Sequence, residues 1–197
     1  MSARRKPVQE RSQETVQRIL QATSRLLERI PIDELTTHRI ATEAGLSIGA
    51  LYRFFPGKQS IIDAIAIQCV EQFRASFEDR PAPRLNDGPA FLGAVIDTYI
   101  AFLDRRPDFR AIAFGRHISP ATRQTQSSPD APGAGIVRNY LVEMFGITDA
   151  GALDLQLRVV IEAGERLIAY AYEQGEAERP AIVAEMKRML SRYLFAA

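Results

Sequence analysis

Between Thr36 and Lys58 the chain reads Thr-Thr-His-Arg-Ile-Ala-Thr-Glu-Ala-Gly-Leu-Ser-Ile-Gly-Ala-Leu-Tyr-Arg-Phe-Phe-Pro-Gly-Lys, and few folds accept such a run. Ile40, Ala41 and Ala44 keep helical spacing behind the N-cap residues Thr36 and Thr37, Gly45 suits a left-handed turn that ends this helix, and Ser47 suits the cap of the next. Pro56 and Gly57 stop the second helix near Phe55. Two helices this short around a turn this tight have the outline of a helix-turn-helix.

The rest of the chain is helical by pattern. Val16, Ile19, Leu20, Leu26, Leu27 and Ile30 form one apolar stripe from Ser12 to Ile30, ended by Pro31. A fourth helix is expected from Lys58 to Asp79 on Ile62, Ile65, Cys69, Phe73 and Phe77, followed by a Pro-rich connector at 80–89. Helices are expected at 88–105, 107–115, 135–146, 149–174 and 178–195, with a Ser/Pro/Gly-rich loop at 124–135. No strand alternation is sustained anywhere. The expectation is an all-α chain of about nine helices, with a small module at 1–58 that includes a basic arm at 1–11, and a helical body at 59–197.

Composition narrows the chemistry. The 197 residues are 46% hydrophobic, ample for a core, and a single cysteine, Cys69, excludes an internal disulfide framework and suits a reducing cytoplasm. Arg4, Arg5 and Lys6 are followed by Pro7 and a polar run, not by the apolar core of a signal peptide, and no run approaches membrane length, so no membrane association is expected. Two histidines, His38 and His117, and one cysteine build no metal site, and no nucleophile elbow, phosphate loop or dinucleotide fingerprint is present. The pairs Glu162 with Glu165 and Asp104 with Asp108 have the spacing of solvated helix faces. No enzyme, metal or cofactor is expected. The net charge of +1 hides an asymmetry: ten basic against six acidic residues up to Lys58, and fifteen against eighteen beyond it. A basic module on a mildly acidic body suits phosphate binding at one end.

Residue types within the helix-turn-helix fit that reading. Gly49 and Ala50 leave one helix face almost bare, so that it can approach base edges in a major groove. Ser47 caps the helix or donates to a phosphate, the Tyr52 hydroxyl can reach a phosphate, and Arg53 reads a guanine or neutralises a phosphate. Lys58 at the start of the fourth helix opposes the helix dipole and is best matched by an anion, while Thr36 is an N-cap whatever else it does. Leu51 and Phe54 are assigned to the core, with Phe55 open between core and surface. The sequence from Ala44 through Leu51-Tyr52 to Lys58 resembles the N-terminal DNA-binding domain of TetR-type transcription regulators, over roughly residues 12–65. The resemblance implies Thr36, Thr37, His38, Ser47, Ile48, Gly49, Ala50, Tyr52, Arg53 and Lys58 as the DNA-facing set. It also implies a homodimer on a pseudo-palindromic double-stranded operator, and a small-molecule effector bound in the body. Repression is the commonest output of such proteins; a DNA-architectural protein without an effector is the alternative.

For the body, residues 153–171 are apolar over more than one stripe, which implies burial on two sides. Leu157, Ile161, Gly164, Leu167 and Ile168, with Met186, Met189, Leu190 and Tyr193 of the last helix, are the expected dimer residues, Ala163 and Gly164 permitting close crossing in a four-helix bundle. Tyr99, Phe102, Phe114, His117, Tyr140, Met144, Glu162 and Arg166 are the expected effector-contacting set, mostly apolar with a few polar anchors.

Overall fold

A computed structural model describes residues 5–78, 87–114, 117–126, 138, 142 and 150–195. Among these residues every regular element is helical: α1 (Arg5–Leu27), a 3-10 turn (Ile32–Glu34), α2 (Thr37–Glu43), α3 (Ile48–Tyr52), α4 (Lys58–Glu78), α5 (Gly88–Arg105), α6 (Pro107–Phe114), α7 (Pro120–Gln126), α8 (Ala150–Glu173) and α9 (Arg179–Phe195). The expected all-α chain is found. The connector at 80–86, the expected helix at 135–146 save residues 138 and 142, and the far part of the loop at 124–135 lie outside the described residues.

Two expectations shift. α1 begins at Arg5, not Ser12, so residues 5–11 of the expected arm are helical; Pro7 sits in the first turn, where its missing N–H would have had no intrahelical partner. α7 covers the start of the expected loop, beginning at Pro120.

Contacts group the chain into two compact units, residues 1–68 with 106–119, and residues 69–105 with 120–197. The grouping differs from a division at residue 58: the first half of α4 goes with the helix-turn-helix, and so does α6. In the first unit Ile19, Leu20, Leu35, Ile40, Leu51, Ile61, Ile62 and Ile65 are buried around α1 to α4. α6 packs against α1. Its Asp108 is buried, although its spacing from Asp104 suggested a solvated face. Burial alone would raise the Asp108 carboxyl, but two 2.9 Å hydrogen bonds from Arg106, with others from Ser24 and the Phe109 N–H, outweigh it and hold the group below the usual carboxylate range. The following segment is held to α4: Gln59 Nε2 donates to the His117 carbonyl at 2.6 Å and the Ser119 N–H to Asp63 at 2.9 Å.

In the second unit α9 packs along α8 and also against α5. Leu153, Leu157, Val160, Ile168 and Ala171 of α8 are buried, as are Met186 and Leu190 of α9. Lys187 pairs with Asp97, and the Tyr172 hydroxyl donates to Asp104 at 2.6 Å while Arg179 lies over the Tyr172 ring at 4.7 Å.

Candidate functional site

The helix-turn-helix is built from closed local hydrogen bonds. The Thr36 side chain accepts from the Arg39 N–H, and that of Ser47 from the Ala50 N–H, each at 3.2 Å. Gly45 has φ +63°, and around it the Gly45 N–H donates to the Thr42 carbonyl at 3.0 Å and the Leu46 N–H to the Ala41 carbonyl at 2.8 Å. These are the two bonds of a Schellman ending, which satisfies the last carbonyls of α2 and turns the chain sharply into α3. Arg25 of α1 and Arg29 in the turn after it clamp Glu43 at the end of α2, at 3.0 and 2.8 Å, and these hydrogen bonds lower its carboxyl.

On this frame Thr36, His38, Ser47, Gly49, Tyr52 and Arg53 are exposed, and Thr37, Ile48, Ala50 and Lys58 are half-buried. Tyr52 keeps 51% of its surface exposed, and its hydroxyl lies 3.2 Å from that of Thr37, so α2 and α3 are joined at the exposed surface itself. A Cβ at Gly49 would meet nothing within 4 Å. Lys58 Nζ donates to the Ile32 carbonyl over a long 3.5 Å. Leu51 is buried as expected, but Phe55 is the buried ring and Phe54 is only half-buried. The cause is that α3 ends at Tyr52: the turn that follows brings the Phe55 N–H back to the Leu51 carbonyl at 3.1 Å, and the ring with it.

Residues 19–65 match the family of bacterial regulatory proteins of the tetR type, and residues 86–197, more than half of the chain, match the tetracyclin repressor-like C-terminal domain. The chain belongs to the TetR family. Its helix-turn-helix is the N-terminal domain of that family of bacterial regulatory proteins. A TetR-family transcriptional regulator from Streptomyces coelicolor is 25% identical, with a TM-score of 0.64 over 91% of this chain and 97% of that one. RolR, solved in complex with its ligand resorcinol, is 16% identical with a TM-score of 0.68, over 91% of this chain and 89% of that one, and shares the fold. The nucleoid occlusion factor SlmA of Haemophilus ducreyi is 30% identical over 111 residues, 56% of this chain and 53% of that protein. The chain thus spans about half the length of the curated relatives it matches.

In this TetR-family chain the expected effector residues are not all in one place. Tyr99 and Phe102 lie in the second unit, where Phe73 joins them: its ring centroid is 5.1 Å from Tyr99 and 5.5 Å from Phe102. Phe114 and His117 belong to the first unit. Tyr140 and Met144 lie outside the described residues. Glu162 is exposed on α8, and the exposed Arg166 is engaged with Glu173 at 3.0 Å. Glu165, read from spacing as one more solvated carboxylate, is exposed as expected, while the protein around it, then the like charge of Glu162, raise its carboxyl to about 7 against the opposing pull of Arg123.

The expected dimer residues divide by burial. Leu157, Gly164, Ile168, Met186 and Leu190 are buried within the protomer; a Cβ at Gly164 would meet Leu190 of the same chain at 3.5 Å, so this glycine fits α8 to its own α9. Ile161 and Leu167 are half-buried, and Met189 and Tyr193 are exposed. Leu155, Val159 and Tyr170 of α8 are exposed as well, which sequence reading did not single out. Two stripes were visible in the pattern, but which one faced inward depends on where α9 and α5 pack.

Proposed function

We propose that the chain is a homodimeric repressor that binds a pseudo-palindromic operator and is released by a small apolar or amphipathic effector. One observation carries the DNA half of this reading: Thr36, Thr37, Ser47, Gly49, Tyr52 and Arg53 share the accessible surface of two capped helices, and the bareness of Gly49 has no explanation in the protein's own packing. Close approach to a groove supplies one. Ser47, Tyr52 and Lys58 serve phosphates, Ile48, Ala50 and Arg53 meet base edges, and Thr36, Thr37 and His38 border the same strand. One such module reads too few base pairs, so a twofold dimer is required. The exposed Leu155, Val159, Met189 and Tyr193 are the surface best suited to it.

The effector half is supported by the Phe73–Tyr99–Phe102 ring cluster and by the likeness in fold to RolR, which holds resorcinol. Release works through the spacing of the two reading heads, which must match one DNA turn of about 34–36 Å. The chain passes between its two units at 68/69, inside α4, and again at 105/106 and 119/120, so α4 is joined by two further links. Effector and operator then oppose each other reciprocally, by roughly 1–3 kcal/mol. The setting is cytoplasmic.

Selection of bound sequences from random duplexes tests this reading. Recovery of an inverted repeat with half-sites one turn apart is the expected result, and footprints on it should shrink with effector. Tight binding without sequence preference would overturn the operator reading in favour of an architectural role, in which occupancy of DNA is itself the output. The likeness to a nucleoid occlusion factor favours keeping that second reading.

A further inference from the structure

One carboxylate of the first unit stands where its charge is least welcome. Glu43 is the last residue of α2, where the helix dipole disfavours an anion, and it belongs to the module whose basic surplus suits a polyanion. Both of its oxygens are nevertheless held: Oε1 accepts from Arg25 Nε at 3.0 Å, and Oε2 pairs with Arg29 at 2.8 Å. Arg29 is itself fixed. α1 ends at Leu27; the Glu28 N–H then goes to the Ser24 carbonyl and those of Arg29 and Ile30 to Leu26, so the Arg25 carbonyl is met by Arg29 Nε at 3.0 Å. One guanidinium therefore closes the end of α1 and grips the end of α2.

Bridges to two exposed arginines add little to stability, because solvent screens them and ordering long side chains costs entropy. What they fix is direction. Apolar packing of α2 on α1 is non-directional, whereas a carboxylate held through both oxygens has one place to sit. Glu43 lies two residues ahead of Gly45, whose left-handed turn sends the chain into α3, a helix of only five residues. At the other end of α2 the Thr37 and Tyr52 hydroxyls, 3.2 Å apart, join it to α3. The two helices therefore turn together, and the Glu43 clamp sets their angle against α1. We propose that Glu43, gripped by Arg25 and Arg29, is a positioning residue for operator reading: it touches no DNA and holds α3 in the orientation in which its face matches a base sequence. Phosphate contacts carry no sequence information, whereas contacts to base edges are directional, so loss of the clamp lowers selectivity before it lowers DNA binding. The inference rests on the operator reading and adds to it a residue outside the DNA-facing set.

The full-length protein is compared with Glu43→Gln and Arg29→Lys in two measurements: titration of the duplex recovered by selection and of a random duplex over a range of salt, and amide hydrogen exchange. Glu43→Gln should lose about tenfold in affinity for the selected duplex and stay within about twofold on the random one, with the salt slope unchanged. Arg29→Lys keeps the charge but cannot serve the Arg25 carbonyl and Glu43 together, so it should show the same split to a smaller degree. In Glu43→Gln the Ala50 and Leu51 amides of α3 should exchange about fivefold faster or more, with those of α4 unmoved. Equal loss on both duplexes would overturn the proposal, and so would a salt slope in Arg29→Lys or Glu43→Gln shifted by about 0.9 log unit per log unit of salt, the mark of a direct phosphate contact. Exchange that is unchanged, or faster throughout the unit, would overturn it as well. If the wild type selects no sequence at all, the operator reading fails on its own, and the exchange comparison still decides whether the clamp holds α3.

Discussion

The two compact units handle their polar and apolar groups in opposite ways. In the helix-turn-helix unit the caps and the Schellman turn satisfy the backbone locally, two arginines hold Glu43, and among the described residues Tyr52 and Ile67 are the large apolar side chains left exposed. In the second unit large apolar side chains stand outside, at Leu155, Val159, Tyr170, Met189 and Tyr193. The first is a finished surface that a polyanion can meet as a rigid body. The second leaves a larger apolar surface uncovered, which suits the pairing proposed for it.

The largest expected effect tests the inner against the outer stripe of α8. Ile168→Asp puts a charge into the protomer core and should cost roughly 3–5 kcal/mol, seen as loss of cooperative melting by circular dichroism. Val159→Asp, on the exposed stripe, should keep the melting of the protomer within about 0.5 kcal/mol, yet sediment as a monomer. A folded Ile168→Asp dimer, or a Val159→Asp dimer of undiminished affinity, would break the distinction.

Within the first unit, Gly45→Ala forces a Cβ into the left-handed region and should cost about 1–2 kcal/mol. Ser47→Ala removes a single cap bond and should cost about 1 kcal/mol, by chemical denaturation. Operator affinity should fall with both, and the melting of the second unit should not.

A smaller effect belongs to Glu165, whose partial access to water softens it. Its carboxyl is raised from 4.5 to about 7, so between those values the folded chain holds a proton that the unfolded chain has lost. Stability must therefore fall as pH rises across that window, and be level above it. Glu165→Gln should flatten the slope; an unchanged pH profile would mean that the carboxyl is freely hydrated. The smallest effect is that of Lys58→Ala, which should reduce the salt dependence of operator binding by about 0.9 log unit per log unit of salt, if one phosphate contact is lost.

Legibility followed the range of the forces involved. Thr36, Gly45, Ser47 and Pro56 announced the helix-turn-helix because caps and turns are decided by residues three or four apart, and α5, α6, α8 and α9 were found within a residue or so of their expected limits for the same reason. Phe54 was assigned to the core and Phe55 left open, whereas Phe55 is the buried ring, because one residue of helix length rotates the following side chains. Met189 and Leu190 adjoin in sequence, and nothing local says that one points outward and the other is core.

The sequence by itself determined an all-α chain, a capped helix-turn-helix with a basic surplus, and a body with more apolar surface than one face can hide. Tertiary structure decided which stripe of α8 lies inside, that α6 travels with the helix-turn-helix unit, that Asp108 is a buried partner of Arg106, and that the exposed Glu165 carboxyl is raised by its surroundings. The physical reason is that hydrogen-bonded turns close over a few residues, whereas burial and the field at a carboxyl are sums over neighbours from α5, α7, α8 and α9, distant in sequence and assembled only by packing.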